Sequence, residues 1–500
     1  MLVADMKNRH TPFLSKSKYL AGLQCMKLLW YLYNRKQDIP EIDAATQAIM
    51  DQGNAVGELA RTLYPGGIKL DREAMPERQA ERSLEAARLR NPLFEAGFVY
   101  KRAYALADIL VPVGADAWDL IEVKSTSSVK DEHLYDVAFQ RYTYEGAGLK
   151  IRRCYLMHIN NQYVREGEIE AKKLLKKEDI TEEVSKFVPE IEKEIGSMVD
   201  AIAVKDVPDV KVGRHCNDPY ECPLQDICWA FLPPEDDVFC LYRGGKKAYE
   251  LMDKGILSLA DICGSVKLTN SQRIQVDSHG RGKPHVDKEG IREFLDRLKY
   301  PLYFLDFETI SAAIPLYDHS RPFEQIPFQY SLHIIRKEGG RPESYSYIAP
   351  DRKDPRPAVL KQLKELLGES GSVIAYNAGF EKTVLKKASE YYPEYKTWVN
   401  KIDKRVVDLL APFRSFFYYH PGQAGSASIK DVLPALTGSG YKNMEIADGN
   451  SASTEYHRVT FGDNIAIKDR ARVHAALEKY CALDTKGMID ILDALRKEVG

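Results

Sequence analysis

Two polar positions, Asp306 and Glu308, interrupt an apolar run of strand-forming residues at Tyr303-Phe304-Leu305-Asp306-Phe307-Glu308-Thr309. Successive side chains of a strand point to opposite faces, so this run predicts a β-strand with Asp306 and Glu308 on one face. Val373-Ile374-Ala375-Tyr376-Asn377 predicts a second short strand, followed by a helix that carries Glu381. Near the C-terminus, Tyr480 and Asp484 are four positions apart and predict one stripe of a long helix. Earlier, Ala107-Asp108-Ile109-Leu110-Val111-Pro112 and Trp118-Asp119-Leu120-Ile121-Glu122-Val123-Lys124-Ser125 flank a turn at Gly114-Ala115-Asp116. Two adjacent strands there bring Asp108 beside Glu122, and Glu122 and Lys124 alternate onto one face. A helix follows with Gln140 and Tyr144 on one stripe. Glu95 is expected near the end of a preceding helix, as an addition to this acidic group.

Five hundred residues exceed what a single hydrophobic core serves, so two or three domains are expected. The proline-and-acid stretch Leu232-Pro233-Pro234-Glu235-Asp236-Asp237 marks a boundary and closes a first domain over 1–235. Residues 236–298 have a mixed helical pattern with a polar, Gly-rich break at His279-Gly280-Arg281-Gly282-Lys283-Pro284. Within them, 255–262 fits half of a helix-hairpin-helix or part of a small helical connector, and the connector is the expectation. Residues 299–500 form the third unit. No repeat or low-complexity tract is evident.

An apolar fraction of 44% and a charged fraction of 29% fit a globular chain. No apolar run approaches membrane-spanning length, so no membrane partner is expected. Met1-Leu2-Val3-Ala4-Asp5-Met6-Lys7 lacks the apolar core of a secretory signal, which predicts a cytoplasmic location and reduced thiols. The net charge of −2 gives no global attraction for a polyanion. A nucleic-acid partner would need local basic grooves, with Lys150, Arg152 and Arg153 as candidates, and its acids masked by metal.

The candidate chemistry lies in those acids. Two like charges two positions apart on a buried strand are costly unless a cation lies between them, and the segment offers no basic partner. A divalent metal is the simplest resolution. The strand D-x-E, Asn377 with Glu381 in an N-x-x-x-E, and Tyr480 with Asp484 in a Y-x-x-x-D together resemble the DEDD exonucleases of the ribonuclease-H-like fold, over roughly 300–500. That resemblance implies catalytic roles for Asp306, Glu308, Glu381, Tyr480 and Asp484, with the four acids as Mg²⁺ or Mn²⁺ ligands, and Asn377 at the substrate. Metals held roughly 4 Å apart would stabilise attacking and leaving oxygens together. Tyr480 would orient the nucleophilic water; at an ordinary pKa of about 10 it is a poor base. The family's second motif usually ends in aspartate, so Glu381 is a departure. Asp408 is read as a cap or outer-shell acid with metal ligation as the alternative, and His474, ten residues before Asp484, as an ordinary helix residue.

Asp108, then Glu122-x-Lys124, then Gln140-x-x-x-Tyr144 is similar to the RecB-type branch of the PD-(D/E)XK nucleases. The resemblance implies that Asp108 and Glu122 hold Mg²⁺ or Mn²⁺ and that Lys124 positions or helps deprotonate the attacking water. It implies that Gln140 and Tyr144 brace the substrate or the site. The family's early-helix histidine is absent. Gly53–Arg61 is the matching stretch, and its Glu58 either substitutes as an oxygen ligand or is a solvated helix residue.

Eight cysteines in a cytosolic chain argue against disulfides. Cys216, Cys222 and Cys228 are separated by five residues each, and Cys25 lies far upstream. One early and three late cysteines resemble the iron–sulfur staple of AddB-type and CRISPR-adaptation nucleases, which implies a [4Fe–4S] cluster. Zinc is the rival, although its usual C-x₂₋₄-C knuckles are missing. Cys154 and Cys481 are read as core; Cys240 and Cys263 have no readable role.

The whole arrangement resembles the bacterial family known as domain of unknown function 2779. The implied fold class is α/β: an N-terminal PD-(D/E)XK restriction-endonuclease-like domain and a C-terminal ribonuclease-H-like domain, joined by a small helical connector. The implied activity is a metal-dependent nuclease with two sites, acting on DNA in repair, recombination or phage defence. The alternatives are an RNA-processing 3′→5′ exonuclease whose N-terminal module is a binding platform, and a non-catalytic nucleic-acid scaffold with decayed sites.

Overall fold

The computed structural model describes residues 12–500, so Met1–Lys7 lies outside the described residues. The protein is a mixed α/β chain that divides into two compact units. The first runs to Trp229 and also includes Ala312–Phe323; the second is Ala230–Ser311 with Glu324–Gly500.

In the first unit, seven strands form one sheet. They are β1 (Leu14–Ser15), β2 (Ile68–Lys69), β3 (Leu93–Tyr100), β4 (Ala103–Val113), β5 (Ala117–Val123), β6 (Lys150–Ile159) and β7 (Leu175–Asp179). The order is β2-β3-β4-β5-β6-β7, with β1 also paired to β4. Gly114 (φ 58°) takes the left-handed conformation that the tight β4–β5 turn requires. The register pairs Ile109 with Ile121 and Leu110 with Leu120, and one step further places Asp108 opposite Glu122. The helix Asp131–Gly146 covers this region and buries Asp136, Val137, Phe139, Gln140 and Tyr144. Phe98, Trp118, Leu120, Val137, Phe139, Tyr144 and Met198 lie in one apolar core. Glu95 is not at a helix end. It lies in β3, where Phe94 and Ala96 pair with Ile109 and Ala107, which puts it opposite Asp108.

The second unit contains β8 (His285–Val286), β9 (Leu302–Ile310), β10 (Ile326–Ile335), β11 (Glu343–Ile348), β12 (Ser372–Ala375), β13 (Val406–Asp408) and β14 (Tyr418–Tyr419). Five of them make a sheet in the order β11-β10-β9-β12-β13. β10 runs antiparallel to both of its neighbours, β9 and β11, whereas β9, β12 and β13 run parallel. Alternation decides which face of β9 carries chemistry. Tyr303, Leu305 and Phe307 enter a core with Val359, Leu363, Val384, Leu385 and Trp398, which leaves Asp306 and Glu308 on the opposite face. Burying three such side chains contributes roughly 1.5–3 kcal/mol each, enough to hold the strand against the charges beside them. The C-terminal helix Ile467–Val499 buries Leu477, Tyr480, Cys481, Asp484, Thr485 and Met488 in a stripe of helical period. Gln329 donates to the Leu477 carbonyl at 2.9 Å, and Ser331 and His333 meet the Thr485 hydroxyl at 2.7 and 2.8 Å, which docks that stripe on β10.

Residues 236–298 group with the second unit. Their helices Lys246–Asp253, Asn270–Arg281 and Lys288–Leu295 accompany a small core of Val238, Leu241, Leu251, Leu259 and Ile262. After Gly255 the chain makes one tight turn at Leu259–Asp261, where a helix-hairpin-helix would need a second helix. No helix among the described residues is long and apolar enough to cross a membrane.

Candidate functional site

The second unit brings its acids together. One ligand atom each from Asp306, Glu308 and Cys481 lie within 4.8 Å of one another. The Cys481 thiol donates to Asp306 Oδ2 at 3.4 Å. Burial pushes the Asp306 carboxyl well above its usual range, and the charges of Asp484, Glu308 and Glu381 add to the rise. Burial and then Asp484 push Glu308 up to about 8, with Lys430 pulling the other way. Burial pushes Glu381 up to about 8 as well, with Asp408 adding to it. Glu381 is 4% exposed and its Oε2 has no hydrogen-bond partner. Asp484 is pushed up to about 6 by burial, against the Tyr441 hydroxyl and Lys430. Four carboxyls displaced upward together, three buried and Asp306 half-buried, mean a site short of positive charge.

Asp484 is the strongest neighbouring charge on Asp306 and Glu308, yet its carboxylate lies outside the 4.8 Å trio and accepts from the Tyr441 hydroxyl. Tyr480 is buried. Its phenol is raised by burial and then by Asp484, Glu308 and Asp306, so it stays protonated and can orient but not accept. The Lys430 ammonium lies 5.6 Å from the Tyr480 ring centre and 5.8 Å from that of Tyr441. Asn377, at φ 67°, sits exposed at the corner between β12 and the helix Gly379–Tyr391. Asp408 accepts from the backbone N–H groups of Asn377 and Leu410 at 2.9 and 3.0 Å, so it caps that corner. His474 is ten residues from Asp484, about 15 Å along the helix.

In the first unit the acids already have cations. Glu122 Oε1 accepts from both Lys16 and Lys124 at 2.7 Å, and its Oε2 accepts from Gln140 at 2.7 Å. Lys124 also reaches Asp136 at 2.6 Å. Burial opposes the charge on each lysine, but Asp136 and Glu122 outweigh it and hold both ammoniums above their ordinary range. Lys124 therefore cannot take a proton from water; positioning and charge compensation are left to it. Asp108 accepts from the Val123 N–H at 2.8 Å. Gln140 and Tyr144 are fully buried and bonded to each other at 3.2 Å, so they brace Glu122 and offer no face to a substrate. Glu95 bonds Arg61 at 2.6 Å; Glu58, well exposed, bonds Arg61 and Lys69 and is a solvated helix residue. The candidate groove cations are also engaged: Lys150 with Asp116, Arg152 with Asp119 and Arg153 with Asp179.

Cys25, Cys216, Cys222 and Cys228 line one pocket together with Lys27, His215 and Trp229. Burial pushes the Cys222 thiol up to about 11; the Leu224 N–H opposes this, and the other three sulfurs add to it. A tetrahedral zinc at about 2.3 Å from each sulfur would set neighbouring sulfurs about 3.8 Å apart. Among the described residues no three of these thiols come within 4.8 Å of one another. The donor set is four cysteine sulfurs, spread more widely than a single-ion knuckle.

Five residues escaped the sequence reading: Lys16, Asp136, Lys430, Tyr441 and the role of Cys481. For Cys481 a signal existed, since it lies three positions before Asp484 on the stripe already identified. For Asp136 the same spacing argument from Gln140 applied. Lys16 is 106 residues from Glu122, and nothing local announces that pairing.

Comparison with known proteins gives likeness without an assigned activity. An uncharacterized protein of Ureaplasma parvum serovar 3 is 28% identical over 227 residues, 40% of this chain and 32% of that protein. An uncharacterized protein of Mycoplasma genitalium is 28% identical over 224 residues, 39% and 32% of the two chains. A homologue of it in Mycoplasma pneumoniae is 26% identical over 230 residues, 41% and 34%. The matched region spans about a third of the length of these relatives. A family model also matches residues 303–428, which include Asp306, Glu308, Asn377, Glu381 and Asp408. That stretch of the chain fits the family described as Domain of unknown function (DUF2779).

Proposed function

We propose that this protein is a metal-dependent nuclease that hydrolyses phosphodiester bonds, with DNA as the expected substrate and the second unit as its hydrolytic centre. The observation that carries the proposal is the set of carboxyls at half-buried Asp306 and buried Glu308, Glu381 and Asp484, all displaced upward. Such a set is stable in its charged form only with cations among it, and hard carboxylate oxygens suit Mg²⁺ or Mn²⁺. The mixed sheet supports a ribonuclease-H-like reading: the D-x-E strand is central, with antiparallel neighbours on one side and a parallel pair on the other.

Bound divalent ions there would supply an acidified water and neutralise charge on the phosphate. The chain's own residues do the rest. Tyr480 keeps its proton and is placed to orient a water by hydrogen bonding. Lys430 is the nearby cation acting on Glu308 and Asp484, and it is positioned to attract a phosphate. Tyr441 holds Asp484 by its hydroxyl and fixes that carboxylate's direction.

The Lys16–Glu122–Lys124 arrangement favours a second reading for the first unit, as a nucleic-acid binding platform of PD-(D/E)XK type, stapled by an iron–sulfur cluster, without hydrolysis of its own. Digestion of end-labelled single-stranded DNA and RNA in Mg²⁺ or Mn²⁺ tests both. Asp306→Ala is expected to abolish cleavage and Glu122→Ala to leave its rate within about twofold. Cleavage that survives Asp306→Ala and disappears with Glu122→Ala would move the hydrolytic centre to the first unit. A wild-type protein inert on both substrates would leave only the scaffold.

A further inference from the structure

We propose that Asp306, Glu308 and Cys481 form a mixed oxygen–sulfur site for a thiophilic divalent cation of the zinc class, an alternative to hard-metal occupancy of the same acids. The inference rests on the reading of these acids as cation ligands. The geometry supports it. A tetrahedral ion about 2.3 Å from sulfur and 2.1 Å from oxygen sets those donors about 3.6 Å apart. Cys481 Sγ and Asp306 Oδ2 are 3.4 Å apart, and the trio lies within 4.8 Å. That is single-ion size, unlike the wider spread of the four thiols in the first unit. A second observation points to a missing cation: Glu381, 4% exposed, leaves its Oε2 without a hydrogen-bond partner.

The chemistry separates two kinds of ion. Mg²⁺ takes oxygen ligands and leaves Cys481 as a thiol donating to Asp306. A thiophilic ion forms a metal–sulfur bond as the S–H bond breaks, and the proton passes to buffer by way of a neighbouring carboxylate. No electron is transferred. An ion so bound draws Asp306 and Glu308 to itself, so zinc-class ions should compete with Mg²⁺.

Cobalt(II) is the probe, because a thiolate ligand gives it a near-ultraviolet charge-transfer absorbance that oxygen ligands do not. Full-length wild type, Cys481→Ser, Cys481→Ala and Asp306→Asn are titrated with Co²⁺ and their spectra subtracted, with calorimetric stoichiometry in parallel. The seven other cysteines contribute equally to every protein and cancel in the difference. The expected result is loss of one equivalent's charge-transfer band in both Cys481 variants, with Co²⁺ affinity at this site at least tenfold weaker and Mn²⁺ affinity within twofold. If Asp306→Asn removes a Co²⁺ equivalent while both Cys481 variants keep the wild-type spectrum, the sulfur ligand is refuted and the metal reading stands. If none of the variants changes stoichiometry or spectrum, both are refuted.

Discussion

Glu381→Gln tests the claim that the second unit is short of positive charge. The Glu381 carboxyl goes from an ordinary 4.5 to about 8 in the folded protein, mainly through burial. At about 1.36 kcal/mol per factor of ten, that displacement corresponds to about 5 kcal/mol. Its sign is fixed by which state holds the proton. Between pH 4.5 and 8 the folded, metal-free protein keeps a proton that the unfolded chain gives up, so stability falls as pH rises. The contribution is fully present below pH 4.5 and is lost by the time the pH has passed about 8. Glutamine keeps the shape and cannot titrate.

Trp398 reports on this region: it packs in the core that includes Val384 and Leu385 from the helix of Glu381, and the chain's other tryptophans, Trp30, Trp118 and Trp229, lie in the first unit. Fluorotryptophan-labelled protein is unfolded in urea with chelator at pH 4.5 and at pH 9, and the ¹⁹F resonance of Trp398 is followed. From pH 4.5 to 9, wild type should lose about 5 kcal/mol more than Glu381→Gln, and Mn²⁺ should close the gap. Parallel losses in the two proteins would refute the uncompensated charge at Glu381.

Tyr441→Phe removes the hydroxyl that favours the ionised form of Asp484, so the acid limb of the pH–rate profile should move upward by about one to two pH units, from a bond worth roughly 1.5–3 kcal/mol. Lys16→Met leaves Glu122 and Asp136 with one ammonium; urea unfolding followed at Trp118 should show a loss of about 3 kcal/mol, much of it recovered by adding Asp136→Asn. Simple additivity of those two substitutions would count against the buried network. Cys222→Ser, purified without oxygen, should lose the bound iron and the broad visible absorbance of wild type and lower the first unit's melting temperature.

What the sequence disclosed was whatever a local string encodes. Asp306 and Glu308 share a face because strands alternate, and Asp108 meets Glu122 because a hairpin has a register. Tyr480 and Asp484 share a stripe because helices repeat. Glu95 was misplaced because Leu93–Tyr100 begins a few residues after a helix and its first residues carry no strand alternation. The charge balance around Glu122 was hidden for another reason. Lys16 comes from the far end of the chain, and only the folded sheet puts β1 against β4. Cys481 looked like core because it is core, fully buried, with its sulfur turned toward the acids.

The stretch Ala312–Phe323 between β9 and β10 has a practical consequence. It belongs to the first unit, where Gln52 accepts from the Ala313 N–H at 3.0 Å and Arg165 donates to the Pro315 and Leu316 carbonyls at 3.0 and 2.8 Å. The units are therefore not consecutive blocks of sequence. Cutting the gene at Trp229 would yield an amino-terminal half lacking part of its own interior and a carboxy-terminal half trailing an orphaned loop. Dissection of the two units is better done by point substitution than by truncation.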